Sequence, residues 1–190
     1  MPSDMPSRPF LTSLTTVTRK ELMSTSSTAY GYVFNVRTKA DVGAVLIKGM
    51  DFYTDKFGSI NYELWTRPGT FVGYRGRYAG WELIATGSIK GKGAGELTSI
   101  PEEDFTEVSI NGGGSNQGTR AFYMTLNTKD LVYQAAGGGS FVSKADVNVH
   151  DETDEIEVYD GEAILAYPFP PQVCVTCIPR NLPPFFRTKY

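Results

Sequence analysis

The sequence predicts an all-β fold: a two-sheet antiparallel sandwich or jelly-roll-like domain of about ten strands, with extended arms at both ends. Three observations carry that expectation. Apolar residues recur at every second position in one short run after another, the spacing of a strand with one buried face. Between the runs sit turn-formers, drawn from 20 Gly and 11 Pro in 190 residues. Aromatic residues make up 13% of the chain, with 11 Phe and 11 Tyr, and such side chains suit a half-buried pleated surface. No apolar stripe with helical spacing runs beyond two turns, and no internal repeat is visible. A domain of roughly 150 residues buries about 68–70% of its unfolded surface, enough for a core without metal or crosslinks.

Along the chain, residues 1–28 are rich in Ser, Thr and Pro and read as an extended or flexible N-terminal arm, with Phe10 and Leu14 as docking points. The sandwich domain spans 29–190 and includes an extended C-terminal segment, 170–190. Residues 29–37 place Tyr30, Tyr32, Phe34 and Val36 on one face. Residues 42–55 continue with Val45, Ile47 and Phe52 toward the core and Gly49 at a bulge or bend. Residues 59–67 alternate Ile60, Tyr62, Leu64 and Thr66 against Asn61, Glu63 and Trp65, and Pro68-Gly69 turns the chain. Further strands are expected at 81–90, 105–110, 120–128 and 131–134, with glycine loops at 91–95, 112–114 and 137–139. Pro101 suits the start of a single helical turn within 98–104. Residues 155–159 alternate, and Asp160-Gly161 matches the Asp-Gly hairpin signal ahead of 162–169. Residues 184–190 form the last strand.

Charge and rare residues narrow the function classes. The net charge is −3 and the pI about 5.2, so the chain lacks the general footprint of a nucleic-acid binder. No run approaches about 18 apolar residues, so no membrane span is expected. Residues 1–9 lack the apolar core of a secretory signal. His150 is the single histidine, so Ser/His/Asp catalysis would rest on that one residue, and a histidine-rich zinc site is excluded by count. None of the glycine loops has the strand-to-helix context of a phosphate-binding loop.

Three constellations remain as candidates. Cys174 and Cys177 form a C-x-x-C among Val, Thr, Ile and Pro; structural thiols, a disulfide and a reactive pair all fit that spacing. Acidic residues gather at Asp146, Asp151, Glu152, Asp154, Glu155 and Glu157. Calcium takes six to eight oxygen ligands, and Asp151, Asp154 and Glu155 could contribute to such a site, whereas a solvated hairpin that protects a sheet edge needs no ion. No other cofactor is expected. The most distinctive stretch is 71–81, where Tyr74, Arg75, Arg77, Tyr78 and Trp81 interleave rings with guanidinium groups. Rings stack on sugars, and arginines pair with carboxylate, sulfate or phosphate. The plainer alternative is a hairpin loop whose Trp81 packs inward.

The motifs also occur in a familiar order: LTT at 14–16, YVFNV at 32–36, YELW at 62–65, GTFVG at 69–73, AFYMT at 121–125, EIEVYDG at 155–161, YPF at 167–169 and PRN at 179–181. This order, running through residues 12–190, resembles an uncharacterised β-sandwich module that recurs in secreted multidomain bacterial proteins and in diatom and related algal proteins. The sequence departs from that pattern at Pro170-Pro171 with the C-x-x-C, at 183–186, and in the basic aromatic stretch 73–77. The resemblance implies a non-catalytic module beside adhesion and cell-surface domains, with an extracellular or surface-associated location. The expected function is therefore structural: self-assembly or adhesion in a matrix, surface layer or protein coat, as a homo-oligomer or with like domains. A carbohydrate-binding module for a neutral or anionic polysaccharide, using Tyr74, Tyr78, Trp81 and Trp65, is the alternative. An enzyme of unassigned class is the third.

Overall fold

The structure, a computed structural model, describes residues 13–14, 26–40, 42–76, 78–112, 118–134, 148–169, 180–181 and 185–187. They form an all-β, sandwich-like fold. In chain order the strands are β1 (Ser13–Leu14), β2 (Ser26–Ala29), β3 (Gly31–Thr38), β4 (Ala44–Ile47), β5 (Gly49–Tyr53), β6 (Phe57–Pro68), β7 (Glu82–Lys92) and β8 (Leu97–Ser99). A single 3-10 turn, η1 (Glu102–Asp104), follows Pro101 as expected. Then come β9 (Val108–Asn111), β10 (Thr119–Leu126), β11 (Leu131–Gln134), β12 (Val149–Glu152), β13 (Ile156–Tyr159), β14 (Gly161–Ile164), β15 (Arg180–Asn181) and β16 (Phe185–Arg187).

One layer is an eight-stranded sheet in the order β12-β13-β3-β10-β6-β7, with β14 also on β3 and β15 on β14. The opposite layer is divided into a four-stranded sheet, β1-β16-β5-β8, and two ribbons, β2–β11 and β4–β9. The main core lies between the layers. From the large sheet it takes Tyr32, Phe34, Val36, Ile60, Tyr62, Leu64, Phe122 and Met124; from the opposite layer, Val45, Ile47, Met50, Phe52, Val108, Ile110 and Leu131. Rings set its spacing, with Phe34 on Phe122 at 5.8 Å and Tyr32 on Phe34 at 6.0 Å between centroids. Fully burying one such side chain contributes about 1.5–3 kcal/mol, so these positions dominate the fold's stability. The alternation read from 59–67 holds: Ile60, Tyr62, Leu64 and Thr66 are buried, and Asn61, Glu63 and Trp65 stand on the other face.

Several elements differ from expectation. The stretch 42–55 is two strands that part at Lys48, because β4 pairs with β9 whereas β5 pairs with β8 and β16. Asp160-Gly161 makes no hairpin. Both β13 and β14 run antiparallel along β3, with Val158 opposite Val36 and Glu162 opposite Val33, so three residues face two in a β-bulge. Gly161 is needed there for close approach: a Cβ would come within 2.2 Å of the Val33 carbonyl oxygen and 2.5 Å of the Tyr32 ring. Its N–H donates to the Tyr32 hydroxyl at 2.9 Å. The hairpin in this region is instead β12–β13, turning at Thr153.

The arms are partly built into the sheets. β1 pairs with β16 and β2 with β11, while β15 joins β14 and β16 joins β5. Residues 113–117 and 135–147, the rest of the arms, Cys174 and Cys177 lie outside the described residues. Strand β7 is an edge of the large sheet, covered near both ends by the following chain. The Thr106 N–H donates to the Ile84 carbonyl at 2.7 Å, and the Lys92 N–H to the Thr98 hydroxyl at 3.2 Å. Tyr62 reaches out to η1, donating its hydroxyl to Asp104 Oδ2 at 2.8 Å.

Candidate functional site

The outer face of the large sheet carries a second apolar cluster. Val33, Ala121, Tyr123 and Ile164 rise from β3, β10 and β14, and Phe71 and Trp81 come down on them from the 69–81 connection. Trp65, Tyr74 and Phe169 pack at its margin. This face becomes apolar because β6 and β10 present Trp65 and Tyr123 as register partners on that side.

The connection between β6 and β7 is pinned from below. The Asn35 amide, fully buried on β3, donates to the Thr70 hydroxyl at 3.0 Å, and its carbonyl oxygen accepts the Phe71 N–H at 3.1 Å. The Tyr74 N–H donates to the Phe71 carbonyl at 2.9 Å, and the Trp81 indole N–H to the Tyr74 carbonyl at 3.0 Å. The Arg67 guanidinium lies over the Tyr74 ring, 3.5 Å from its centre. Gly80, with φ of +87°, turns the chain back into β7 at an angle that L side chains rarely adopt.

The loop residues singled out from the sequence are therefore divided. Trp81 is buried, 9% exposed, against Tyr123 at 6.0 Å, so its ring belongs to the cluster and offers no stacking surface. Tyr74 is half-buried beneath Arg67. Arg75 forms an ion pair with Glu162 of β14, which is itself buried. Desolvation raises the Glu162 carboxyl pKa above its ordinary value, and the Arg75 charge and hydrogen bond pull it back in part. Arg77 lies outside the described residues. Tyr78 stays at the surface, 52% exposed, with its ring edge-on to Trp65 at 5.4 Å and tilted on Phe169 at 4.3 Å.

Around Trp65 and Tyr78 the structure gathers residues that the loop motif did not include. Glu63 stands two positions before Trp65 on the same face of β6, and the Trp65 indole N–H donates to its Oε2 at 3.0 Å. Its Oε1 accepts the Tyr167 hydroxyl at 2.9 Å. Phe169 packs edge-on against Trp65 at 5.7 Å, and the Tyr123 hydroxyl donates to the Pro168 carbonyl. Leu83, 42% exposed, is the register partner of Trp65 on β7. Burial, the hydrogen bond to Glu63 and that carboxylate's charge together push the Tyr167 hydroxyl up to about 12. Burial and the Glu63 charge also raise Tyr78. The alternation of β6 was the available signal for Glu63 beside Trp65; nothing local points to Tyr167, which lies 104 positions away in sequence.

The acidic segment forms the β12–β13 turn. The Glu152 N–H donates to Asp151 Oδ1 at 2.8 Å, and the Thr153 hydroxyl donates to Glu155 Oε2 at 2.8 Å. Glu152 pairs with Lys39 at 2.9 Å. Asp151, Asp154 and Glu155 are not brought together as ligands: among the described residues no three His, Cys, Asp or Glu side chains converge as a metal site. His150 Nδ1 lies 3.7 Å from Asp160 Oδ1. No helix among the described residues is long and apolar enough to cross a membrane. No family model, curated protein or solved structure matches the chain.

Proposed function

We propose that the chain is a non-catalytic interaction module of an adhesive or matrix-type assembly, binding through the outer face of its large sheet around Trp65. One observation carries this reading. Tyr78, Leu83 and Tyr167 are 52%, 42% and 39% exposed beside the Trp65–Glu63 pair, and they stand on or against paired strands. Exposed apolar clusters rimmed by polar groups mark interaction surfaces, and sites built on strands hold their geometry better than sites on loops. The face suits this role better than the β7 edge, which is covered near both ends by 97–106.

The test is light scattering across a concentration series, run on the wild type and on a Trp65→Ala/Tyr78→Ala double variant. Self-association that disappears in the variant supports the reading. A wild type that stays strictly monomeric at the highest concentration overturns it for like-with-like assembly.

Carbohydrate binding is the second reading, favoured by a half-exposed tyrosine next to a partly exposed tryptophan and a fixed carboxylate. The ring planes oppose it: Trp65 meets Tyr78 at 69° and Phe169 at 70°, so the rings nest at angles instead of lying in one flat platform. Affinity electrophoresis in polysaccharide gels discriminates the two, because retardation abolished by Trp65→Ala would put the sugar reading first.

A further inference from the structure

Glu63 is the acidic centre of this face, and its surroundings are unusual for a strand carboxylate. Its register partners on the neighbouring strands are Thr125 of β10 and Thr86 of β7, both uncharged. No Lys or Arg among the described residues forms an ion pair with it. Its two oxygens are fixed by different donors, the Trp65 indole N–H at 3.0 Å and the Tyr167 hydroxyl at 2.9 Å. A carboxylate accepts at roughly four lone-pair positions, so each oxygen keeps one for a further donor.

We infer that the Glu63 carboxylate, with the Trp65, Tyr78 and Tyr167 rings, receives an alkylammonium group: the side-chain amine of a lysine on the protein partner this face engages. The inference rests on the reading of that face as the binding surface and adds the chemistry of what it takes. Three points single out this ligand. Aromatic faces attract cations through their quadrupole, tryptophan best, and a fixed anion beside them adds a direct charge. The Trp65, Tyr78 and Phe169 rings, tilted at 58° to 70° to one another, present walls at several angles, which suit a rounded ammonium with its methylene stem better than a flat sugar ring. A hard metal cation wants six to eight oxygens, whereas this site offers one carboxylate and apolar rings. The Glu63 charge is felt across the site, since it contributes to raising the Tyr78, Tyr123 and Tyr167 hydroxyls.

The experiment uses the full chain and three small probes: N-acetyl-lysine-methylamide, its neutral analogue without the amine, N-acetyl-norleucine-methylamide, and choline. Binding is read from the indole N–H resonances, with Trp65 identified through Trp65→Phe. The lysine probe is expected to shift the Trp65 indole and to bind about tenfold more tightly than norleucine, the scale of a partly desolvated cation–π contact with a charge beside it. Glu63→Gln and Tyr78→Ala are each expected to weaken the lysine probe by about tenfold. The second variant leaves both Glu63 hydrogen bonds in place, so a fold disturbed by the first would not hide the answer. Equal binding of norleucine, an unmoved Trp65 indole at millimolar lysine probe, or choline binding without the lysine probe would each overturn the inference. The light-scattering result stands apart. Assembly lost in the Trp65→Ala/Tyr78→Ala variant with no ammonium binding fells this inference alone, and ammonium binding by a monomer that never assembles fells the assembly reading alone.

Discussion

Gly161 is held where only hydrogen fits. The atoms a Cβ would meet are a backbone oxygen of β3 and a fully buried tyrosine ring, neither of which can swing aside. Gly161→Ala is therefore expected to destabilise the fold by about 2 kcal/mol, in the range of an overpacked core; urea unfolding measures it. Tyr32→Phe probes the same point differently. It keeps the ring but leaves the Gly161 N–H without its 2.9 Å acceptor, an expected loss of about 1–3 kcal/mol. Glu162, next in the chain, gives a pH signature. Its folded-state pKa is raised above the ordinary 4.5, so the folded form favours the protonated carboxyl. That contribution is fully present below the unfolded-state value and is lost as pH rises through the folded-state value. Wild type should accordingly lose stability relative to Glu162→Gln as pH climbs upward from about 4.5. A pH-independent difference in unfolding free energy between the two would refute the assignment.

At the scale of elements, the 69–81 connection behaves as a lid that the sheet holds by buried polar contacts. Asn35 is its main anchor from below, and Asn35→Ala leaves the buried Phe71 N–H without its acceptor. The expected effect is a loss of about 1–3 kcal/mol together with faster proteolytic cleavage between β6 and β7, read by limited proteolysis under native conditions. How far these elements could be read in advance depends on how local their causes are. The inner face of β6 was legible because Ile60, Tyr62, Leu64 and Thr66 alternate within one strand. The split at Lys48 was hinted at by Gly49, but its cause is a change of partner from β9 to β8 and β16, a tertiary event. Asp160-Gly161 was misread because a tight hairpin and a glycine bulge ask for the same residues; only the neighbouring β3 decides between them. Of the loop constellation, the rings and arginines were visible, yet Arg75 is occupied by a glutamate 87 positions away. Glu63 could be placed on the Trp65 face, whereas its second donor, Tyr167, could not.

For the whole molecule, the two faces of the large sheet divide the work. The inner face carries stability. Phe122→Ala removes a fully buried ring stacked on Phe34 and should cost about 3–5 kcal/mol by chemical denaturation. Under the proposed function the outer face would carry recognition, so Leu83→Ala at the exposed partner of Trp65 should change stability by no more than about 0.5 kcal/mol while weakening any partner docked there. A large stability loss at Leu83 would mean that this face is core after all.

The extra residue at Asp160 settles which way everything after it points. Ahead of it, Ile156 and Val158 look into the main core; beyond it, Ala163 does, and Ile164 joins the outer cluster. The strand thus shifts phase by one position while staying on the same neighbour. Flattening the bulge with every residue kept would continue the alternation from Val158 and turn Glu162 inward, depriving Arg75 of its counter-charge; deleting Asp160 instead leaves Glu162 opposite Val33 and facing outward. One amino acid therefore acts as a spatial frameshift marker, linking the register of a strand to the attachment of the loop that roofs the outer face.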